Sequence, residues 1–167
     1  MRRASGTLHV FTFKDGLLAR AAHDLRLGLE DFSVLLDGNE LRAEFHLRSL
    51  VVEGAIESGT LVPYDAVRRA EVAAALHDQV LRTKQHPTAR FRGTALAHDG
   101  GFDVHGELEL VGRTGQLSFA VRRDGDRYRA ELELEPSRWG IAPYRALLGA
   151  IRVKDSVRLE LVLQEAS

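Results

Sequence analysis

Phe102-Asp103-Val104-His105-Gly106-Glu107-Leu108-Glu109-Leu110 decides the fold of this chain. Phe102, Val104, Gly106, Leu108 and Leu110 share one phase, while Asp103, His105, Glu107 and Glu109 share the other. Strict alternation marks a strand with one buried and one wet face. The pattern returns at Leu117, Phe119 and Val121, at Tyr128, Ala130, Leu132 and Leu134, and at Val157, Leu159, Leu161 and Leu163. Asp124-Gly125-Asp126 joins two such runs. A link so short connects antiparallel strands, because a parallel return needs a crossover of about a dozen residues. The result is a meandering antiparallel sheet with an interior that can hold something.

Working back towards the N-terminus, Leu8 to Phe13 reads as a first strand ended by Lys14-Asp15-Gly16. Its phase stays open, since Leu8, Val10 and Thr12 oppose His9, Phe11 and Phe13. Leu17 to Ala21 fits a helical turn. His23, Leu25, Leu27 and Leu29 then form the apolar side of a second strand, and Phe32 to Leu36 forms a third. Asp37-Gly38-Asn39 suits a hairpin into Leu41, Ala43, Phe45 and Leu47, because these turn residues tolerate positive φ. Val51 to Val62 contains Gly54 and Gly59, which point to an irregular or bulged strand.

The period changes after Asp65, a suitable N-cap. Val67, Ala70, Ala74, His77 and Leu81 recur at three and four residue spacing, widened by Ala73, Leu76 and Val80. This predicts one amphipathic helix ending near Thr83. His86-Pro87 forces an extended approach to the next strand. Pro143 to Ile151, with Tyr144, Leu147 and Leu148, reads as a second, shorter helix or an apolar loop. Eight or nine strands and one substantial helix make an all-β chain, and residues 1–167 make a single domain.

A sheet of this size hides its edges by closing into a barrel or splitting into a sandwich. At about eight strands, a barrel interior is either filled by side chains or holds one small ligand. The small inward residues Gly93, Gly106, Ala43 and Ala130 fit both outcomes: they leave space, or they accommodate larger side chains opposite.

Composition excludes several classes of function. The 167 residues suit one core, and 23 basic against 24 acidic residues give a net charge of −1 with no charge block. No footprint for nucleic acid or for an anionic membrane results. Cysteine is absent, so disulfides, thiolate metal sites and a cysteine nucleophile are excluded. Met1 to Thr7 lacks the apolar core of a secretory signal, and no window reaches the ~18 apolar residues of a membrane span. A cytoplasmic protein without stable membrane insertion is expected, with a homodimer allowed.

The seven histidines are spread singly, without the paired spacing a metal site requires, so no metal is expected. No Gly-x-Ser-x-Gly elbow or phosphate loop occurs, and no cofactor or catalytic residue is assigned. His23 and Asp24 are neighbours on a strand and point to opposite faces, so they form no simple dyad. His23 is read as a core residue bonded to a backbone carbonyl, or as a contact for a ligand head group.

Gly106-Glu107-Leu108-Glu109-Leu110-Val111-Gly112-Arg113-Thr114, followed by Leu117-Ser118-Phe119, resembles the strand, Gly-x-Thr turn and partner strand of the YceI-like polyisoprenoid-binding proteins. His86-Pro87-Thr88-Ala89-Arg90-Phe91 is similar to that family's aromatic-Pro-Thr-x-x-Phe segment. Arg138-Trp139-Gly140-Ile141 stands where the family has Arg or Ser, Phe and Gly. In order, the matches run from Ala22-His23-Asp24-Leu25 to Asp155-Ser156-Val157. The resemblance implies an antiparallel, eight-stranded, lipocalin-like barrel whose cavity holds a long isoprenoid or related lipid. Three departures stand out: many members carry a signal peptide, His86 replaces an aromatic, and Trp139 replaces Phe. The first sets the expected location apart from the periplasm, and the other two reshape the cavity.

The expected function is therefore non-catalytic binding or transport of a polyisoprenoid, quinone or fatty-acid-like lipid. Leu25, Leu27, Phe45, Leu47 and Val104 are expected in the lining, together with Leu108, Phe119, Leu132, Trp139 and Tyr144. Trp139 is expected to close one end of the barrel and to touch the ligand. Head-group candidates are His23 and the helix arginines Arg68, Arg69 and Arg82, whose guanidinium groups suit a phosphate or carboxylate. Two alternatives stand beside this: an enzyme with His23 as general base at the cavity mouth, and a structural barrel with a filled core.

Overall fold

The computed structural model describes residues 1–16, 23–146 and 149–165. Its strands are β1 (Arg2–Asp15), β2 (Asp24–Leu29), β3 (Phe32–Asp37), β4 (Glu40–His46), β5 (Leu50–Glu57) and β6 (Thr60–Val62), then β7 (Thr88–His98), β8 (Gly101–Leu110), β9 (Arg113–Asp124), β10 (Arg127–Leu134), β11 (Arg145–Ala146) and β12 (Ile151–Glu165). One helix, α1 (Ala66–Ala75), lies between β6 and β7. Eight strands close into a ring in the order β1, β3, β4, β7, β8, β9, β10, β12 and back to β1. Every neighbouring pair in it is antiparallel.

The ring is built as the alternation requires, but β1 serves two partners. Arg2 to Ala4 pair with β3, whereas Leu8 to Thr12 pair with β2. β2 then pairs with β5, and β5 with β6, so these strands flare away from one end of the ring. The open phase of β1 resolves with Leu8 and Val10 packed on the core. Phe11 and Phe13 turn outward under Arg158, whose guanidinium carbon lies 4.5 Å from the Phe11 ring centre and 6.0 Å from that of Phe13.

Val51 to Val62 divides into two strands. The register of β5 on β2 slips between Arg26↔Gly54 and Leu27↔Val52, leaving Glu53 as the bulged residue. Gly59 belongs instead to the turn that returns the chain into β6.

Asp65 caps α1, its carboxylate accepting from the Val67 and Arg68 N–H groups at 3.1 Å each. The helix ends in a π-helical turn, Leu76–Val80. Its contact face departs from the expected stripe: Val72, Ala73, Leu76 and Val80 pack against the core. Val67 is 67% exposed, and Ala70 and Ala74 are also exposed. The anchor explains the difference. Below the helix, His77 bonds the Leu50 carbonyl at 2.9 Å and the Thr83 hydroxyl at 3.2 Å, and Leu81 is buried, so the second half of the helix meets the barrel.

Leu17 to Ala21, read as a helical turn, lies outside the described residues, as do Leu147 and Leu148. Within Pro143 to Ile151, Arg145 and Ala146 pair with Arg152 and Ile151 as a short hairpin on β12. A 3-10 turn at Pro136–Trp139 precedes it and carries Trp139 into the core.

Candidate ligand cavity

Inward residues of all eight ring strands surround a cavity of about 160 Å³, so the ring is not filled. Its wall is carbon over nearly its whole length: Leu36, Ala43, Phe45, Phe91, Val104, Leu108, Phe119, Leu132 and Leu161 are among the lining side chains. Leu, Val and Phe recur there because alternate residues on a strand share a face.

The two ends differ. At one end lie Arg2, Phe102, Val121, Tyr128 and Glu165, near the β7–β8 and β9–β10 turns. Arg2 and Glu165 form an ion pair at 3.1 Å, and the Tyr128 hydroxyl donates to the same Glu165 oxygen at 3.5 Å. With Arg3, these are the polar side chains of the lining, and they mark its mouth. The Tyr128 ring also packs on Phe102, with centroids 5.7 Å apart.

The opposite end is closed by packing. Trp139 is 1% exposed, and its indole N–H donates to the Leu108 carbonyl at 2.8 Å. Gly115 makes room for it, since a Cβ there would lie 2.9 Å from the indole ring. Higher up, Phe91 crosses Gly106, where a Cβ would press on the Arg92 carbonyl of the facing strand and lie 2.6 Å from the ring tip. Gly106 therefore accommodates the close backbone and the Phe91 ring of the neighbouring strand rather than adding space.

Of the expected lining residues, the structure brings Phe45, Val104, Leu108, Phe119 and Leu132 together around the cavity. Leu25, Leu27 and Leu47 lie elsewhere, in the core of the flared end. Leu25 and Leu27 keep the inward phase, but β2 leaves the ring, so they face a different space. Leu47 sits in the 3-10 turn after β4. Trp139 lies outside the lining, because its indole is enclosed at the floor. Tyr144 is 41% exposed and also lies outside the lining.

The expected head-group residues are placed at the far end from the mouth. His23 precedes β2, with Nδ1 4.0 Å from a Glu57 carboxylate oxygen and its ring edge-on to Tyr64 at 5.5 Å. Arg68 and Arg69 are exposed on α1, and Arg82 is exposed just after it, where its carbonyl accepts from the Gln85 and His86 N–H groups. None of the four lines the cavity. Arg2, Tyr128 and Glu165 occupy the mouth instead. Their signal was the strand phase itself: Glu165 continues Leu159, Leu161 and Leu163, and Arg2 lies six residues before Leu8.

The family model described as YceI-like domain matches residues 31–164. Among solved structures, a polyisoprenoid binding domain from Saccharophagus degradans implicated in plant cell wall breakdown superposes with a TM-score of 0.66 at 14% identity, covering 99% of this chain and 98% of that one. BcnA of Burkholderia cenocepacia gives a TM-score of 0.65 at 14% identity, over 97% of this chain and 96% of that one. The Campylobacter jejuni YCEI protein gives 0.56 at 13% identity, over 84% of each chain. At these identities the likeness is one of fold. No curated protein matches in sequence.

Proposed function

The chain belongs to the YceI-like family, and from that premise we propose that it binds a long apolar lipid, of polyisoprenoid, quinone or fatty-acid type, without catalysing a reaction on it. The observation that carries this is the cavity: a carbon wall with its polar side chains gathered at one end. Such a site suits an amphiphile whose tail points towards the Trp139 floor and whose head stays by Arg2, Tyr128 and Glu165. The fold neighbour described as a polyisoprenoid binding domain supports the same assignment.

Burial alone supplies the affinity. Each buried methylene contributes about 0.8 kcal/mol before the costs of association are subtracted. The cavity's 160 Å³ is close to the ~150 Å³ that accepts one benzene ring. Ligand pockets usually span about 300–1,000 Å³. A long tail therefore requires the barrel to widen as it fills.

A carrier role in the cytoplasm is part of the proposal, and among the described residues no helix is long and apolar enough to cross a membrane. Native mass spectrometry of the purified protein, followed by organic extraction, tests the binding. An adduct in the mass range of a long-chain lipid is expected. Protein that is ligand-free and shows no affinity for polyprenyl lipids, quinones or fatty acids overturns it.

A further inference from the structure

The boundaries of the ring are unequally closed. β8 and β9 pair from Gly101↔Arg122 to Leu110↔Arg113, and β10 pairs with β12 from Arg127↔Gln164 to Leu134↔Val157. Between β9 and β10, pairing stops after Arg127↔Asp124, Tyr128↔Arg123 and Arg129↔Arg122. Both strands run on, β10 to Leu134 and β9 back to Arg113. The short β1–β3 junction is different, because β1 resumes pairing with β2 at Leu8. Among the described residues, the β9–β10 seam is the ring boundary where the ladder ends and no strand takes over.

The parted stretch of β10, Ala130 to Leu134, is about 17 Å long. It shares a wall with the cavity, since Leu117, Phe119 and Val121 of β9 and Leu132 of β10 all line it. It is held at both ends. The Gly125 hairpin closes the top, and the Pro136–Trp139 turn closes the bottom, where the Arg138 guanidinium donates to the Gln116 carbonyl at 3.0 Å and Trp139 bonds Leu108.

A barrel that must widen does so where the fewest hydrogen bonds break. At the fully paired boundaries, widening breaks a ladder. Along this seam there is none to break.

We propose that the β9–β10 seam is the side entrance of the cavity and the line along which the barrel widens around an apolar chain. The tail passes between β9 and β10 and comes to rest against Leu117, Phe119 and Leu132. This rests on the lipid-binding assignment and adds the route and the wall that moves.

The absence of native cysteine makes a direct test simple. Ala120→Cys with Glu131→Cys places two thiols where the next outward pair after Arg129↔Arg122 would fall, so that oxidation clamps the seam. Asp103→Cys with Ala120→Cys clamps a pair that is already in register on β8 and β9 and serves as the control. If the seam thiols do not join directly, a bifunctional maleimide bridges them. Uptake of a pyrene-labelled long-chain fatty acid is followed by stopped flow before and after reduction. We expect the seam clamp to slow uptake about tenfold or more, reduction or uncrosslinked thiols to restore it, and the control clamp to change nothing. A confirmed seam clamp with unaltered uptake overturns the side entrance while the lipid-binding assignment stands. A wild-type chain that takes up no apolar probe removes both.

Discussion

The ring of the barrel and its flared, helix-covered end are built from the same alternating strands, yet the ring encloses a void while the described apolar residues of the other end are close to fully buried. In the ring, Phe45, Val104, Phe119 and Leu132 look at one another across empty space. At the other end, Leu27, Leu47, Leu50, Val52, Leu81 and Ile141 are buried as part of the same hydrophobic core that reaches Phe91, Val104 and Leu108 of the ring, with Leu76 and Val80 of the helix region against it. Period-two patterning says which way a side chain points. It does not say whether anything stands opposite, because that depends on which strands pair and on what covers the end.

Mutations that remove volume should separate the two regions. The largest effect is expected for Trp139→Ala, which deletes a fully packed indole and its bond to Leu108; a loss of about 3–5 kcal/mol in urea unfolding is expected. Leu27→Ala should cost about 2–5 kcal/mol in the same measurement, since Leu27 is buried in the core. A loss below 1 kcal/mol at either site would show that the closed end is not tightly packed.

Additions are predicted to cost less. Gly106→Ala drives a methyl into the Arg92 carbonyl as well as the Phe91 ring tip, and Gly115→Ala drives one into the Trp139 indole, each expected to cost about 1–3 kcal/mol. Tolerance at Gly115 would mean that the indole has freedom to move aside, and tolerance at Gly106 that both the Phe91 ring and the facing strand do.

On the cavity side, Leu132→Ala enlarges a space that already exists. It should cost less stability than Leu27→Ala while changing lipid affinity, which Leu27→Ala leaves unchanged in the folded fraction; a binding titration read beside unfolding distinguishes them. The smallest effect belongs to the mouth. Arg2 and Glu165 are 65% and 48% exposed, so Arg2→Ala should alter stability by under about 1 kcal/mol.

Much of the ring was legible. The phases of β8, β9, β10 and β12 follow from Leu, Val and Phe at alternate positions, and their order follows from tight turns such as Asp124-Gly125-Asp126. What escaped depends on pairing and on polarity at strand ends. Leu25 and Leu27 have the inward phase but face the flared end, because β1 exchanges β3 for β2 partway along. On the helix, alanines at Ala70, Ala73 and Ala74 make neighbouring faces almost equivalent in the sequence, and the His77 anchor selects the one carrying Val72 and Leu76. Arg2 and Glu165 are charges on an inward phase, which only the geometry of an open barrel end makes intelligible. Trp139 is the reverse case: an aromatic with a polar edge suits a ligand wall, but its N–H is satisfied by Leu108 at the floor.

The central claim is that the void inside the ring is the lipid site. Ala43 lines it on β4 and is only partly buried. Ala43→Phe adds a ring about as large as a 160 Å³ cavity holds. Native mass spectrometry of wild type and Ala43→Phe, each titrated with the same long-chain lipid and each shown to be folded, tests the claim most directly. The account predicts a one-to-one lipid complex for wild type and its loss in the filled variant. A folded Ala43→Phe protein that retains the lipid as well as wild type would contradict it.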